Sequence, residues 1–264
     1  MTFARTMLGM LAAGLVVTGS VDMARAQTCA IDRANPIVIP AGDDGAPKRA
    51  YRLPDGSIVF LGRFTIDADG SPHAYNPDNT GLDALSSAGR PGRWWALATD
   101  RRDCGPSGRP VLQQAGDPAP GFYVAKTSME NTAFSCRQQR RYVNSETISY
   151  VALSPRLTQI NRSGGRLAVV QRGMSTGFAL HADQAPASGY GEGSMELART
   201  LGLNPSPRHG GTGNRELLYL ILPQRMGFPP NNDAVQTASR TAFEAWGGHA
   251  RLMACRAAVE SAPR

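Results

Sequence analysis

Two carboxylates nine positions apart, Asp183 and Glu192, flank a Pro/Ser/Gly-rich loop within residues 178–202, FALHADQAPASGYGEGSMELARTLG. The alternation of Phe178, Leu180 and Ala182 predicts a strand that delivers Asp183 at its end, and Glu192 falls at the threshold of a helix. Cleaving a glycosidic bond requires such a pair: a protonated acid for the leaving oxygen, and an ionised carboxylate to activate water or attack directly. On spacing alone, the same residues fit a turn for Asp183 and a helix-start cap for Glu192. A second acidic group, Asp67 and Asp69 before Gly70, could hold the amino groups of a cationic sugar, brace the site or form a plain turn. It lacks the further ligands and closing glutamate of an EF-hand, so no metal is assigned. Glu146 is a candidate substrate contact, or a buried and paired glutamate. Tyr75, Trp94, Trp95 and Tyr190 are candidates for stacking on sugar rings or for the core, with Tyr190 next to the loop taken as the substrate contact.

The elements that must position these groups are short, because 29 Gly and 19 Pro punctuate the chain. β-Branched and aromatic runs predict strands over 57–64, 121–127, 147–153, 166–172 and 216–222. One helix is expected over 194–201, stopping at Gly202. Another is expected from Asp233, with Asp233 and Gln236 at capping-box spacing and an apolar stripe of Val235, Ala242, Phe243 and Trp246 before Gly247-Gly248. The fold class that follows is mainly β with a few helices, a single compact domain, barrel-like.

Residues 1–26 carry Arg5, an apolar run over 7–17 and Ala24-Arg25-Ala26, the pattern of a secretory signal peptide. That run is too short to cross a bilayer, and no membrane anchor is read elsewhere. Residues 27–52, polar and containing several prolines, are expected to form an extended arm pinned by Cys29, leaving 53–264 as the one compact domain. The four cysteines, Cys29, Cys104, Cys136 and Cys255, predict two disulfides in an exported protein, with three connectivities open. The whole chain has 28 Lys+Arg against 21 Asp+Glu, a formal +7. The leader takes two arginines and one aspartate with it, leaving +6 as scattered arginines without a basic run or aromatic ladder, so nucleic acid is not an expected partner.

The 178–202 segment resembles the catalytic region of glycoside hydrolase family 75, the chitosanases best known from fungi. Asp183 and Glu192 match the spacing of that family's catalytic pair, and Gly191-Glu192-Gly193-Ser194 matches its G-E-G/A-S motif. In the same order, 64–70 (FTIDADG) is similar to I-D-x-D-G, 116–127 (GDPAPGFYVAKT) to a P-G-F-Y-V segment, and 142–153 (YVNSETISYVAL) to Y-V-x-x-E-T-I-x-Y. A late Gly-rich turn over 210–222 also fits, so the likeness spans about residues 57–222. Ala68 stands where fungal members usually carry a cysteine, and Gln184-Ala185-Pro186 where a glycine precedes the proline, which marks a divergent, bacterial-type branch.

The resemblance implies an endo-acting, cofactor-free and inverting hydrolase of β-1,4 linkages in chitosan or a related amino sugar polymer, with Glu192 as acid and Asp183 as base. The expected product of this gene is thus a secreted monomeric glycosidase whose partner is its polysaccharide. A +6 protein repels a polycation, so a chitosan substrate requires a locally acidic cleft, drawn from Asp67, Asp69, Asp183, Glu192 and Glu196. Two other readings compete. Residues 173–177 fit the G-x-S-x-G of a serine esterase, with Ser175 as nucleophile and His209 downstream, although a strand rather than a helix is expected after the serine. A non-catalytic module that binds cell-wall glycan is the other.

Overall fold

The structure, a computed structural model, describes residues 28–42, 45–158 and 164–262, so the leader over 1–26 lies outside the described residues. In chain order the strands are β1 (Ile37–Ile39), β2 (Lys48–Arg52), β3 (Ile58–Asp67), β4 (Gly89–Arg90), β5 (Arg93–Trp94), β6 (Tyr150–Leu153), β7 (Gly165–Arg172), β8 (Ser175–Gln184), β9 (Glu192–Ser194) and β10 (Thr212–Met226). The helices are α1 (Met195–Thr200), α2 (Asn232–Trp246) and α3 (Gly248–Glu260).

Six strands close into a mixed barrel in the order β3-β10-β7-β8-β6-β9 and back to β3, bearing out the β-rich, barrel-like expectation. Closure depends on two parallel ladders, β6 with β8 and β9 with β3. The remaining junctions are antiparallel. Residues 217–222 of β10 are all buried, because both faces of the sheet are covered and an unbroken apolar run satisfies both. On the outer face Val59, Val169, Phe178, Leu180, Leu218 and Leu220 pack beneath α2 and α3. Phe60, Phe64, Ile66, Val170, Ala179 and Tyr219 fill the inward face, joined by Leu197 of α1 and by Leu201, which caps that helix.

Within the 27–52 arm, Cys29 is pinned to Cys255 of α3 as expected, and the segment also carries β1 and β2, which pair with each other and, through β2, with β3. The second disulfide joins Cys104 to Cys136. Residues 121–127 do not form a strand. Their backbone partners change every residue or two, from Tyr75 to Val111 to Ala96, leaving only isolated bridges at Tyr123 and Ala125. Over 147–153 the strand begins only at Tyr150, because the Thr147 and Ile148 amides turn back onto the Asn144 carbonyl. Asn231 rather than Asp233 caps α2, accepting from the Ala234 amide at 2.9 Å, and the Gln236 amide donates instead to the Phe178 carbonyl. Gly247, at positive φ, ends α2 as expected, and Gly248, also at positive φ, opens α3, a helix not expected from the sequence.

Between β3 and β6 the chain leaves the barrel for some eighty residues with little regular structure. This excursion, residues 68–149, has its own small cores around Tyr75, Trp94 and Leu97 and around Cys104, Val124 and Tyr142.

Candidate functional site

Asp183 and Glu192 both register on the same residue, Ala152 of β6, one from each side. Directly opposed residues project to one face of a sheet, and the small Ala152 methyl leaves the space between the two carboxylates open. Simple alternation would not place Asp183 there. Phe178, Leu180 and Ala182 face outward, so residue 183 would point into the barrel. The ladder shifts between Val151 and Ala152, where His181 and Asp183 are successive partners. This bulge at Ala182 returns Asp183 to the outer face. Glu192 is placed by the parallel β9–β3 ladder, opposite Thr65. Gly191, at φ +106°, permits that closure: a Cβ there would collide with the Arg63 carbonyl, and its own carbonyl accepts from the Thr65 amide.

Asp67, on the same face of β3 as Thr65, and Asp69 just beyond complete an acidic group. Carboxylate oxygens of Asp67, Asp69 and Asp183 lie within 4.8 Å of one another. These are the described residues whose spacing could also hold a cation. Each is oriented by neighbours. Asp183 Oδ1 accepts from the Ser128 amide (2.9 Å), the Ser128 hydroxyl (2.7 Å) and the Gln184 amide (2.7 Å). Asp69 accepts from the Tyr75 hydroxyl at 2.7 Å, and its amide donates to Asp67 Oδ1 at 2.8 Å. The Tyr150 hydroxyl holds the Asp69 carbonyl, and the Ser145 hydroxyl the Asp67 carbonyl. Gly70, at φ +78°, makes the tight turn after them, where a Cβ would collide with the Val143 carbonyl.

These four carboxyls line a cavity of about 660 Å³, together with Ala152, Tyr75, Asp83, Ser87, Arg93, Trp95 and the 184–186 loop. Burial raises the pKa of all four. Asp183 rises only to about 6, because the Ser128 and Gln184 donors stabilise its charged form. Glu192 is pushed to about 7 by burial and then by the Asp183 charge, opposed by Arg63. Asp67 and Asp69 are held well above the usual range by burial, then by neighbouring carboxylates.

The structure therefore brings together Asp67, Asp69, Asp183 and Glu192 and leaves other candidates outside. Glu146 does not line the cavity. Its Oε1 accepts from the Ser71 hydroxyl at 2.5 Å and lies 2.9 Å from His73 Nδ1, which makes it a brace of the excursion. Tyr190 is buried against Phe60, its hydroxyl donating to the Arg49 carbonyl at 2.6 Å, so its face is not available to a sugar in this cavity. Glu196 turns away to Arg199 at 3.1 Å. Asp83, unremarked in the sequence because the fold alone carries it to the rim, takes its place. Of the other aromatics, Trp94 is buried, Tyr75 is bound to Asp69, and Trp95 is 56% exposed. Ser175 opens β8 directly after a hairpin turn, so the helix that a nucleophile elbow requires does not follow it.

No protein-family model and no curated protein matches the chain.

Proposed function

We propose that this protein hydrolyses internal β-1,4 glycosidic bonds of an amino sugar polymer, chitosan or a close relative, using Asp183 and Glu192 as the acid–base pair. The observation that carries this reading is their shared register on Ala152: two carboxyls on one face of the sheet, over an open cavity, with different hydrogen-bonding environments. Two ladder spacings put their backbones about 9.5 Å apart, with the open Ala152 position between them for the sugar, and the inverting course is the one that the family resemblance implies. Glu192, to which none of the described groups donates a hydrogen bond, keeps its proton to higher pH and gives it to the leaving glycosidic oxygen. Asp183, with three donors on one oxygen, ionises first and takes a proton from the water that attacks the anomeric carbon. The C–O bond to the leaving sugar breaks as the new C–O bond forms, and the proton lost by water balances the one gained by the leaving group.

The lining also supports the reading against the charge objection. Five carboxyl groups against one arginine make it the part of a basic protein that favours a cation, although burial keeps several of them protonated until one arrives. The leader pattern and the two disulfides support export of this enzyme to an oxidising compartment.

Product analysis on chitosans of graded acetylation and on peptidoglycan tests the reading. Asp183→Asn and Glu192→Gln should each lower kcat/KM by about 100- to 10,000-fold. Activity should peak between about pH 6 and pH 7, bounded by ionisation of Asp183 below and Glu192 above. Dialysis against EDTA should leave the rate unchanged; loss that a divalent cation restores would reassign the Asp67–Asp69–Asp183 group as a metal centre. If no glycan is cut, a glycan-binding module takes its place.

A further inference from the structure

We infer that Trp95 and Asp83 form a built sugar subsite beside the carboxylate pair, one that selects a residue with a free, protonated amine over its acetylated counterpart. The inference rests on the proposed hydrolase for its polymer, but its own basis is the geometry of the cavity rim. Residues 93–95 alternate as a short strand does: Arg93 is exposed, Trp94 is buried in the small core of the excursion, and Trp95 is turned to the cavity. An indole left 56% exposed is a large apolar surface given up to water, and here it is also fixed in place. Its Nε1 donates to the Ser87 carbonyl at 2.8 Å, and the Ala96 amide after it donates to the Ala88 carbonyl at 3.1 Å. The ring is therefore a preorganised platform rather than a mobile side chain, which lowers the entropy lost when a ligand settles on it.

Asp83 belongs to the segment that holds the ring. Its amide donates to the Ala74 carbonyl, its Oδ1 accepts from the Ala84 amide at 2.7 Å, and its carbonyl accepts from Arg208 at 3.0 Å. The carboxylate is thus anchored at the rim of a cavity whose other acidic groups repel a second anion. A pyranose laid on the indole presents apolar C–H groups to the ring face. An ammonium projecting from the edge of that sugar gains from the Asp83 carboxylate. An acetamido group carries no charge and gains nothing from it.

Calorimetric titration of the Glu192→Gln protein with a glucosamine hexamer and with its fully N-acetylated counterpart tests this, with initial rates on chitosan in the otherwise unaltered protein. Trp95→Ala should weaken glucosamine hexamer binding and raise KM by about tenfold with little change in kcat, and Trp95→Phe should recover most of that. Asp83→Asn should weaken the glucosamine hexamer by about three- to tenfold and leave the acetylated one unchanged. Near-UV circular dichroism establishes that each variant is folded. Equal affinity of folded Trp95→Ala and its parent overturns the platform, and equal losses for both hexamers in Asp83→Asn overturn the amine selectivity. If chitosan is hydrolysed and the rim variants are silent, the subsite fails alone. If nothing is hydrolysed but Trp95→Ala abolishes hexamer binding, the hydrolase fails and the subsite stands.

Discussion

The barrel and the excursion over 68–149 solve the same problem, fixing a chain against its entropy, in different ways. In the barrel, backbone ladders close on themselves and bury both sheet faces. In the excursion, ladders are nearly absent and buried side-chain amides stand in for them. Gln139 donates to the Gly70 and Ala125 carbonyls and accepts from the Ala125 amide. Gln113 does the same between Pro72, Tyr123 and Ala119. The site lies where the two meet: the barrel contributes Asp183, Glu192 and Asp67, and the excursion contributes Asp69, Asp83 and Trp95. On the proposed reading, the acid–base pair thus rests on the ladders of the barrel and the rim contacts to sugar on the excursion.

The two disulfides offer the sharpest way to break this comparison, since each serves one region. Cys29–Cys255 closes 226 residues and Cys104–Cys136 closes 32, inside the excursion. By loop entropy, replacing the first pair with serine should cost about 5 kcal/mol and the second about 3.5 kcal/mol. Hydrogen exchange should show the first loss across the barrel, Leu218–Ile221 included. The second should appear only in the excursion, accompanied by lost glycan binding. Equal deprotection of the barrel in the Cys104→Ser/Cys136→Ser protein would mean that the two regions unfold as one.

Gln139→Leu attacks the excursion without touching a covalent bond. It keeps the volume but strands the Ala125 amide and the Gly70 carbonyl in a buried setting, at about 2–3 kcal/mol. The Gly70 turn carries Asp69, so KM on chitosan should rise while the protection of β7 and β10 stays unchanged. Denaturant melts followed by excursion and barrel probes separately would test this.

How much of this was legible in the sequence divides along the same line. The barrel strands announced themselves, because β10 and β7 are β-rich apolar runs and β8 alternates. The excursion did not: 121–127 reads as a strand by composition, yet its partners change too often for a ladder. Nor could sequence show the bulge at Ala182, which alone decides that Asp183 faces the cavity rather than the barrel interior. α3 was hidden because its apolar face is thin, Leu252, Cys255 and Val259, and follows two glycines. Of the site, the pair nine residues apart and the Asp67–Asp69 group were readable from motif and spacing. Asp83 was not, because nothing local in its surroundings differs from an ordinary turn.

The smallest effect expected is a gain, and it separates a site from a scaffold. Glu192 has its pKa raised from 4.5 to about 7 and Asp183 from 3.8 to about 6. A carboxyl raised on folding binds its proton more tightly in the native state, so its contribution to stability is complete below the unfolded pKa. It is lost as pH rises through the folded one, here between about pH 4 and pH 7. Above pH 7 both groups are ionised in a crowded acidic cavity and work against the fold. Glu192→Gln and Asp183→Asn remove that charge and should raise stability by on the order of 1–2 kcal/mol at pH 8, with the difference fading towards pH 4. For Asp183→Asn the gain is the smaller of the two, since the three donors that favour the charged form lose part of their partner. A pair of thermal melts at pH 4 and pH 8 decides it. Carboxylates that merely cap a helix and a turn would give the opposite sign, with both variants less stable at pH 8, because there the charge would be what holds the local structure.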